Sequence, residues 1–131
     1  MAVVDLTESN FESTIRDNDI VLIDFWADWC GPCKQFAPTY EKVAERHPDI
    51  VFGKVDIQQQ EGIAQTFGIR SIPTLAIFRE RELIMLEAGA MPENTLEQAI
   101  EKVRGLDMEE VRADLKKRAE EARKQDQEQA G

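Results

Sequence analysis

The sequence predicts an α/β fold, a central mixed β-sheet flanked by helices, with an extra helix at its C-terminal end. Three observations carry that prediction. Short apolar runs rich in β-branched and aromatic residues alternate with segments whose apolar residues recur every three to four positions. The last two apolar runs are joined by a few polar residues, which adds an antiparallel hairpin to a strand–helix alternation that otherwise builds parallel strands. Beyond Gly105 the apolar content falls, yet what remains keeps to one helical stripe.

Taken in order, Thr7 is a candidate N-cap for a helix over 8–16. Residues 20–27, IVLIDFWA, form a nearly continuous apolar run and predict a strand buried on both faces. Phe36, Tyr40, Val43 and Ala44 lie on one face of a helix that ends near His47-Pro48, with Pro38 expected to kink it. Residues 50–57 predict a second strand. Ile63, Ala64 and Phe67 mark a shorter helix stopped by Gly68. Residues 74–78 and 83–88 predict the third and fourth strands, joined through Arg79-Glu80-Arg81-Glu82. Leu96, Ala99, Ile100 and Val103 mark a helix entered through Pro92 and closed by Gly105. In residues 107–131, 14 of 25 are charged, eight acidic and six basic, and Met108, Val111, Leu115, Ala119 and Ala122 share one stripe. Asp107, with Glu110 three residues on, opens that helix, and Leu106, Met108, Val111 and Leu115 are its expected anchor. The chain divides into a domain over 1–105 and a charged helical extension over 106–131.

Composition narrows the function classes. The 131 residues are 42% hydrophobic and 32% charged, enough for one cored domain and unlike a disordered chain. A net charge of −10 repels phosphate backbones and anionic lipid, so neither nucleic acid nor a membrane is an expected partner. The first residues, MAVVDLTE, lack the basic and apolar segments of a secretory or mitochondrial leader, which points to the cytoplasm. The two cysteines and one histidine fall short of the four ligands of a closed zinc site, so no metal is expected. The glycines form no phosphate-binding loop, so no nucleotide cofactor is expected to be bound.

The most informative stretch is Trp29-Cys30-Gly31-Pro32-Cys33, which follows a predicted strand and opens a predicted helix. An i, i+3 spacing on one helical turn lets two sulfurs meet, so a disulfide forms and breaks without unfolding. Cys30 falls at the helix N-terminus, where unpaired N–H groups and the helix dipole favour a thiolate over a thiol. Pro32, inside the first turn, sacrifices no hydrogen bond and stiffens the loop. Half of a zinc site, a structural disulfide and two inert core thiols are the competing readings. The order strand, motif, helix favours redox chemistry over all three.

Asp24 is a carboxylate inside an apolar strand, costly there if ionised and unpaired. It either faces solvent at the strand end, pairs with Lys54 across the sheet, or serves as a buried proton acceptor for Cys33. Pro73 begins a strand, an ordinary place for proline. His47, at a helix C-terminus, is expected to be solvated or paired with the helix dipole. Of Trp26 and Trp29, one is expected in the core and one at the rim.

VLIDFWADWCGPCKQFAP, residues 21–38, resembles the active-site segment of bacterial thioredoxins. FGIRSIPTLAIF, residues 67–78, resembles the segment carrying their cis-proline, and Ala88-Gly89-Ala90 the glycine turn beside it. The likeness covers about residues 1–105. It implies the thioredoxin-like fold and protein-disulfide reduction, with Cys30 as attacking and Cys33 as resolving thiol. It also implies a buried Asp24 with Lys54 as its neighbour, and Pro73 as the cis-proline. Trp29, Gly31, Pro32, Ile57, Ile72, Gly89 and Ala90 correspond to the apolar docking surface, Ile72 offering backbone hydrogen bonds to an extended substrate. The implied partners are disulfide-containing proteins and a flavoprotein thioredoxin reductase that passes on electrons from NADPH, the chain itself being a monomer. Two features depart from the family. Arg79-Glu80-Arg81-Glu82 lacks the usual Asn-Gly turn, which predicts a longer or differently shaped hairpin. The charged extension suits an alternative role, a chaperone or assembly adaptor that holds clients by its tail.

Overall fold

The computed structural model describes residues 2–130. Ten elements follow one another: β1 (Val3–Asp5), α1 (Phe11–Asp17), β2 (Ile20–Trp26), α2 (Gly31–Arg46), β3 (Val51–Asp56), α3 (Glu61–Thr66), β4 (Thr74–Arg79), β5 (Glu82–Ala88), α4 (Glu93–Arg104) and α5 (Met108–Ala130). The sheet order is β1-β3-β2-β4-β5. β1, β3 and β2 run parallel, and β4 and β5 are antiparallel to their neighbours. This is the mixed sheet that the strand–helix alternation and the hairpin require.

Strand periodicity splits the core in two. Ile20 and Leu22 of β2 point to a layer built by α2 and α4, with Phe36, Tyr40, Val43, Leu96 and Ile100. Val21, Ile23 and Phe25 point to the opposite layer with Phe11 of α1 and Ile63 of α3. Every β2 residue before Trp26 is buried, as a strand covered on both faces demands. By the same parity Asp24 belongs to the α2 and α4 face. Gly53 of β3 is glycine because Leu6 crosses it: an added Cβ would lie 2.5 Å from Leu6 Cδ1. On the other side of β3 the Gly53 carbonyl accepts from the Tyr40 hydroxyl at 2.7 Å.

Several expectations are corrected. The first helix begins at Phe11, not after Thr7. Thr7 instead opens a turn, its carbonyl accepting from the Asn10 and Phe11 amides, while Asn10 Oδ1 accepts from the Thr7 amide at 2.7 Å. Strand β1, three residues paired to β3, carries too short an alternation to be read from sequence. The β4–β5 hairpin is tight, with only Glu80 and Arg81 between the paired Arg79 and Glu82. Both central residues take positive φ, 48° and 73°, the pattern of a type I′ turn without its usual Asn-Gly. His47 is not solvated: Nε2 lies 2.8 Å from Glu97 Oε1 and Nδ1 lies 3.0 Å from Arg104, tying the end of α2 to α4.

Helix α5 opens as expected, with Asp107 Oδ1 accepting from the amides of Glu109 and Glu110. Its anchor is shorter than expected. Met108 is buried and Leu106 and Val111 half-buried, but Leu115 is exposed and every following residue through Gln129 is exposed.

Candidate functional site

The ends of three strands and the start of α2 meet at one rim of the sheet. β2 delivers Trp26 and the loop to Cys30; α2 starts at Gly31; the loop before β4 carries Ile72-Pro73; β5 ends beside Gly89. Cys30 and Cys33 are joined as a disulfide with their Cα atoms 5.2 Å apart. Cys30 is the N-cap of α2, and its Sγ accepts the Cys33 N–H at 3.1 Å. The first turn of a helix always leaves such N–H groups without backbone partners. Here the sulfur of Cys30 takes the place of the usual capping oxygen, so a negative charge on it would meet both an N–H and the positive end of the α2 dipole.

The Ile72–Pro73 peptide bond is cis, and the Ile72 carbonyl oxygen lies 3.7 Å from Cys30 Sγ. The Pro73 carbonyl accepts from the Gly89 amide at 2.8 Å, and Gly89 takes φ +101°, which a side chain would resist. Thus Cys30, Ile72, Pro73 and Gly89 form one connected surface. Trp29, 65% exposed, stands at its edge with the exposed Gly31 and Pro32. Trp26 is half-buried rather than in the core, so only the rim position, taken by Trp29, matches the expected division. Ile57 and Ile72 are half-buried and pack against the α1 and α3 core, so only part of each faces outward. Ala90 is exposed next to Gly89. Exposure does not distinguish the cysteines, at 4% for Cys30 and 3% for Cys33. Their surroundings do distinguish them, because Cys33 faces inward.

Behind Cys33 a cavity of about 160 Å³ is lined by Asp24, Trp26, Asp28, Lys34, Ala37 and Lys54 as well as Cys33 itself. Asp24 is 4% exposed and its Oδ1 has no hydrogen-bond partner. Burial pushes its carboxyl up to about 7, against a smaller opposing pull from the Lys54 ammonium. The solvent-facing position is therefore excluded. A direct pair with Lys54 is also absent: Lys54 Nζ reaches Asp5 at 3.7 Å instead. Tyr40, buried on the same face, is held well above its usual value by burial first and the Asp24 charge second. Asp28 and Lys34 escape sequence reading, which places Tyr40 only on the apolar face of α2. Asp28 and Lys34 lie within four residues of the cysteines, and that proximity was the available signal. Larger hollows lie between β5 and α4 (about 360 Å³) and between α1 and α3 (about 480 Å³), but neither is lined by a cysteine. Among the described residues no cluster of three or more His, Cys, Asp or Glu side chains could hold a metal ion.

Comparison with known proteins agrees with this geometry. The sequence profile of the thioredoxin family matches residues 2–102. The chain is 58% identical over 111 residues to a Streptomyces coelicolor protein designated a candidate thioredoxin 2, covering 85% of this chain and 83% of that protein. It is 41% identical to thioredoxin 1 of Nostoc sp., covering 77% of this chain and 96% of that one. Among solved structures it is similar to a single-site mutant of thioredoxin from Halobacterium salinarum NRC-1, with a TM-score of 0.74, 33% identity, and coverage of 80% and 93% respectively.

Proposed function

Because the chain belongs to the thioredoxin family and is a protein-disulfide oxidoreductase working by dithiol–disulfide exchange, we propose that Cys30 is its attacking thiol and Cys33 its resolving thiol. The observation that carries this assignment is the Cys33 N–H donated to Cys30 Sγ at the start of α2. It favours the thiolate of Cys30 and offers nothing similar to Cys33.

In the reduced protein, Cys30 thiolate attacks one sulfur of a substrate disulfide. That bond breaks, a mixed disulfide forms, and the departing substrate thiolate takes a proton from water. Cys33 passes its thiol proton to the Asp24 carboxylate across the shared cavity. Cys33 thiolate then attacks Cys30 Sγ, the mixed disulfide breaks, and the second substrate sulfur leaves as a thiolate that takes a proton from water. The product is the Cys30–Cys33 disulfide seen in the structure. Two electrons have moved from the protein to its substrate. A base whose proton affinity is near neutral is both ionised often enough and basic enough for such a transfer.

Pro73, Ile72, Gly89 and Ala90 on one side and Trp29, Gly31, Pro32 and Ile57 on the other frame the substrate strand, with the Ile72 backbone as its hydrogen-bonding edge. This open rim suits an extended protein segment better than a small molecule. Lys54 acts on Asp24 through its charge. Electrons return from NADPH through a flavoprotein thioredoxin reductase, with no cofactor bound to this chain. The reaction belongs in a reducing compartment, the cytoplasm, where such thiols are catalytic. Residues 1–105 form the catalytic domain and residues 106–131 an appendage. An adaptor role for that appendage is not favoured, since the reactive site is complete without it.

Reductase-coupled reduction of insulin tests the whole reading. The full chain is expected to turn over with NADPH and reductase, and loss of turnover in Cys30→Ser and Cys33→Ser is required.

A further inference from the structure

The sheet row that holds Asp24 holds two more charges. Asp5 on β1 faces Lys54 on β3, and Lys54 faces Asp24 on β2. Opposed residues of neighbouring strands share a face, so the three side chains form a line from the sheet edge to its centre. Their exposure falls along that line: the side chains of Asp5 and Lys54 are 78% and 37% exposed, and Asp24 is 4% exposed as a residue. The single ammonium of the row lies 3.7 Å from Asp5 Oδ1 and 5.1 Å from the centroid of the Trp26 ring. Asp24 Oδ1, by contrast, is buried without a hydrogen-bond partner. The cation is therefore shared unequally, its ion pair made with the exposed carboxylate.

We infer that Asp5 is a positioning residue for proton transfer from Cys33: it holds the Lys54 ammonium toward the sheet edge and thereby keeps Asp24 a strong proton acceptor. This rests on the reading of Asp24 as the proton partner of Cys33. Two effects act with one sign. The Asp5 carboxylate draws Lys54 away, and its own charge, about 10 Å from Asp24 by two strand spacings, opposes a second negative charge in the row. Removing the Asp5 charge reverses both, so the Asp24 carboxylate becomes easier to form.

Other groups face Asp24 and remain in place when Asp5 is changed. On β3, Asp56 Oδ1 is engaged by the amides of Gln58 and Gln59. Asp28 of the loop and Lys34 of α2 line the same cavity as Cys33. Tyr40 of α2 has its hydroxyl committed to the Gly53 carbonyl. None of them touches Asp5 within hydrogen-bond distance, so their influence on Asp24 is a constant background.

The test is direct titration of the Asp24 carboxyl by ¹³C NMR in the reduced full-length protein, for the native chain, Asp5→Asn and Asp5→Glu. At low salt Asp5→Asn should lower the Asp24 midpoint by roughly half a pH unit. Asp5→Glu should restore the native midpoint. The difference should collapse in about 1 M salt, because Asp5 is exposed and its field is screened. An unchanged or raised midpoint in Asp5→Asn at low salt overturns the inference, and so does an equal shift in Asp5→Glu. Undiminished turnover in Asp24→Asn would overturn the proton-relay reading instead, and the Asp5 effect stays readable because it is measured on the carboxyl itself.

Discussion

Cys30 and Cys33 are almost equally buried, so any difference in their chemistry comes from what each sulfur faces. Cys30 faces the α2 amide and the Ile72 carbonyl; Cys33 faces the Asp24 cavity. In the reduced protein iodoacetamide at pH 7 should therefore modify Cys30 much faster than Cys33, read by peptide mapping. Cys33→Ser should accumulate mixed disulfides that Cys30→Ser does not. Equal alkylation would remove the basis for the assignment. Asp24 makes a second prediction at this scale. Its native carboxyl titrates near 7 against 3.8 ordinarily, so the folded state holds the proton more tightly than the unfolded state. Stability is then greatest below pH 4 on this account and is lost as pH rises toward 7, by about 4 kcal/mol in total at 1.36 kcal/mol per pH unit. Asp24→Asn removes that loss. Urea unfolding should show the variant gaining on the native protein between pH 4 and 7 and staying ahead at pH 8, while its turnover falls. A less stable variant at pH 8 would mean that the carboxylate has a stabilising partner.

The elements show where sequence reading reaches and where it stops. Strand β2 and the motif of α2 are legible because an apolar run and a Cys-x-x-Cys spacing are local signals. The burial of Asp24 is legible for the same reason, since its neighbours in sequence are all apolar. The cis bond at Pro73 has no local signal and came only with the family likeness. Side chains that act across distant elements leave no local trace either. Arg79 reads as part of a polar connection, yet it ends β4 and its Nη1 donates to the carbonyls of Val103, Arg104 and Leu106. The Val103 and Arg104 carbonyls belong to the last turn of α4 and that of Leu106 to the connection after it, so Arg79 closes that helix and fastens the start of the extension. The β4–β5 turn is tight despite its residues because the paired strands on either side dictate it. Glu80 is worth keeping, since its carboxylate meets Arg112 of α5 at 3.0 Å. Arg81 has φ 73° and no such role among the described ion pairs. A left-handed conformation costs a side-chain-bearing residue about 1–2 kcal/mol, part of which glycine returns as backbone entropy. Arg81→Gly should accordingly raise stability by about 0.5–1 kcal/mol, measured by chemical denaturation, without altering disulfide reduction.

At the scale of the whole molecule, the extension and the reactive rim lie at opposite ends of the sheet. β4 begins at Thr74, next to Pro73, and finishes at Arg79, which holds the end of α4; six residues of strand separate the two by about 20 Å. The extension is held there by Met108, by the half-buried Leu106 and Val111, and by the Arg112–Glu80 pair. Past Val111 the helix touches nothing that buries it, and its Asp114–Arg118 pair adds only about 0.3–0.5 kcal/mol. Two truncations then separate the anchor from the remainder. Ending the chain after Leu115 should leave thermal stability nearly unchanged. Ending it after Gly105 also removes Met108, whose burial contributes at most about 1.5–3 kcal/mol, and one carbonyl that Arg79 binds. That chain should melt several degrees lower, since 1 kcal/mol shifts the midpoint of a domain this size by about 4–8 °C. Both truncated proteins should keep the reductase-coupled rate of the full chain, because no group within the Asp24 cavity or on the Cys30 rim belongs to the extension. A folded 1–105 chain that no longer reduces disulfides would place part of the site in the extension, against the distance that β4 imposes.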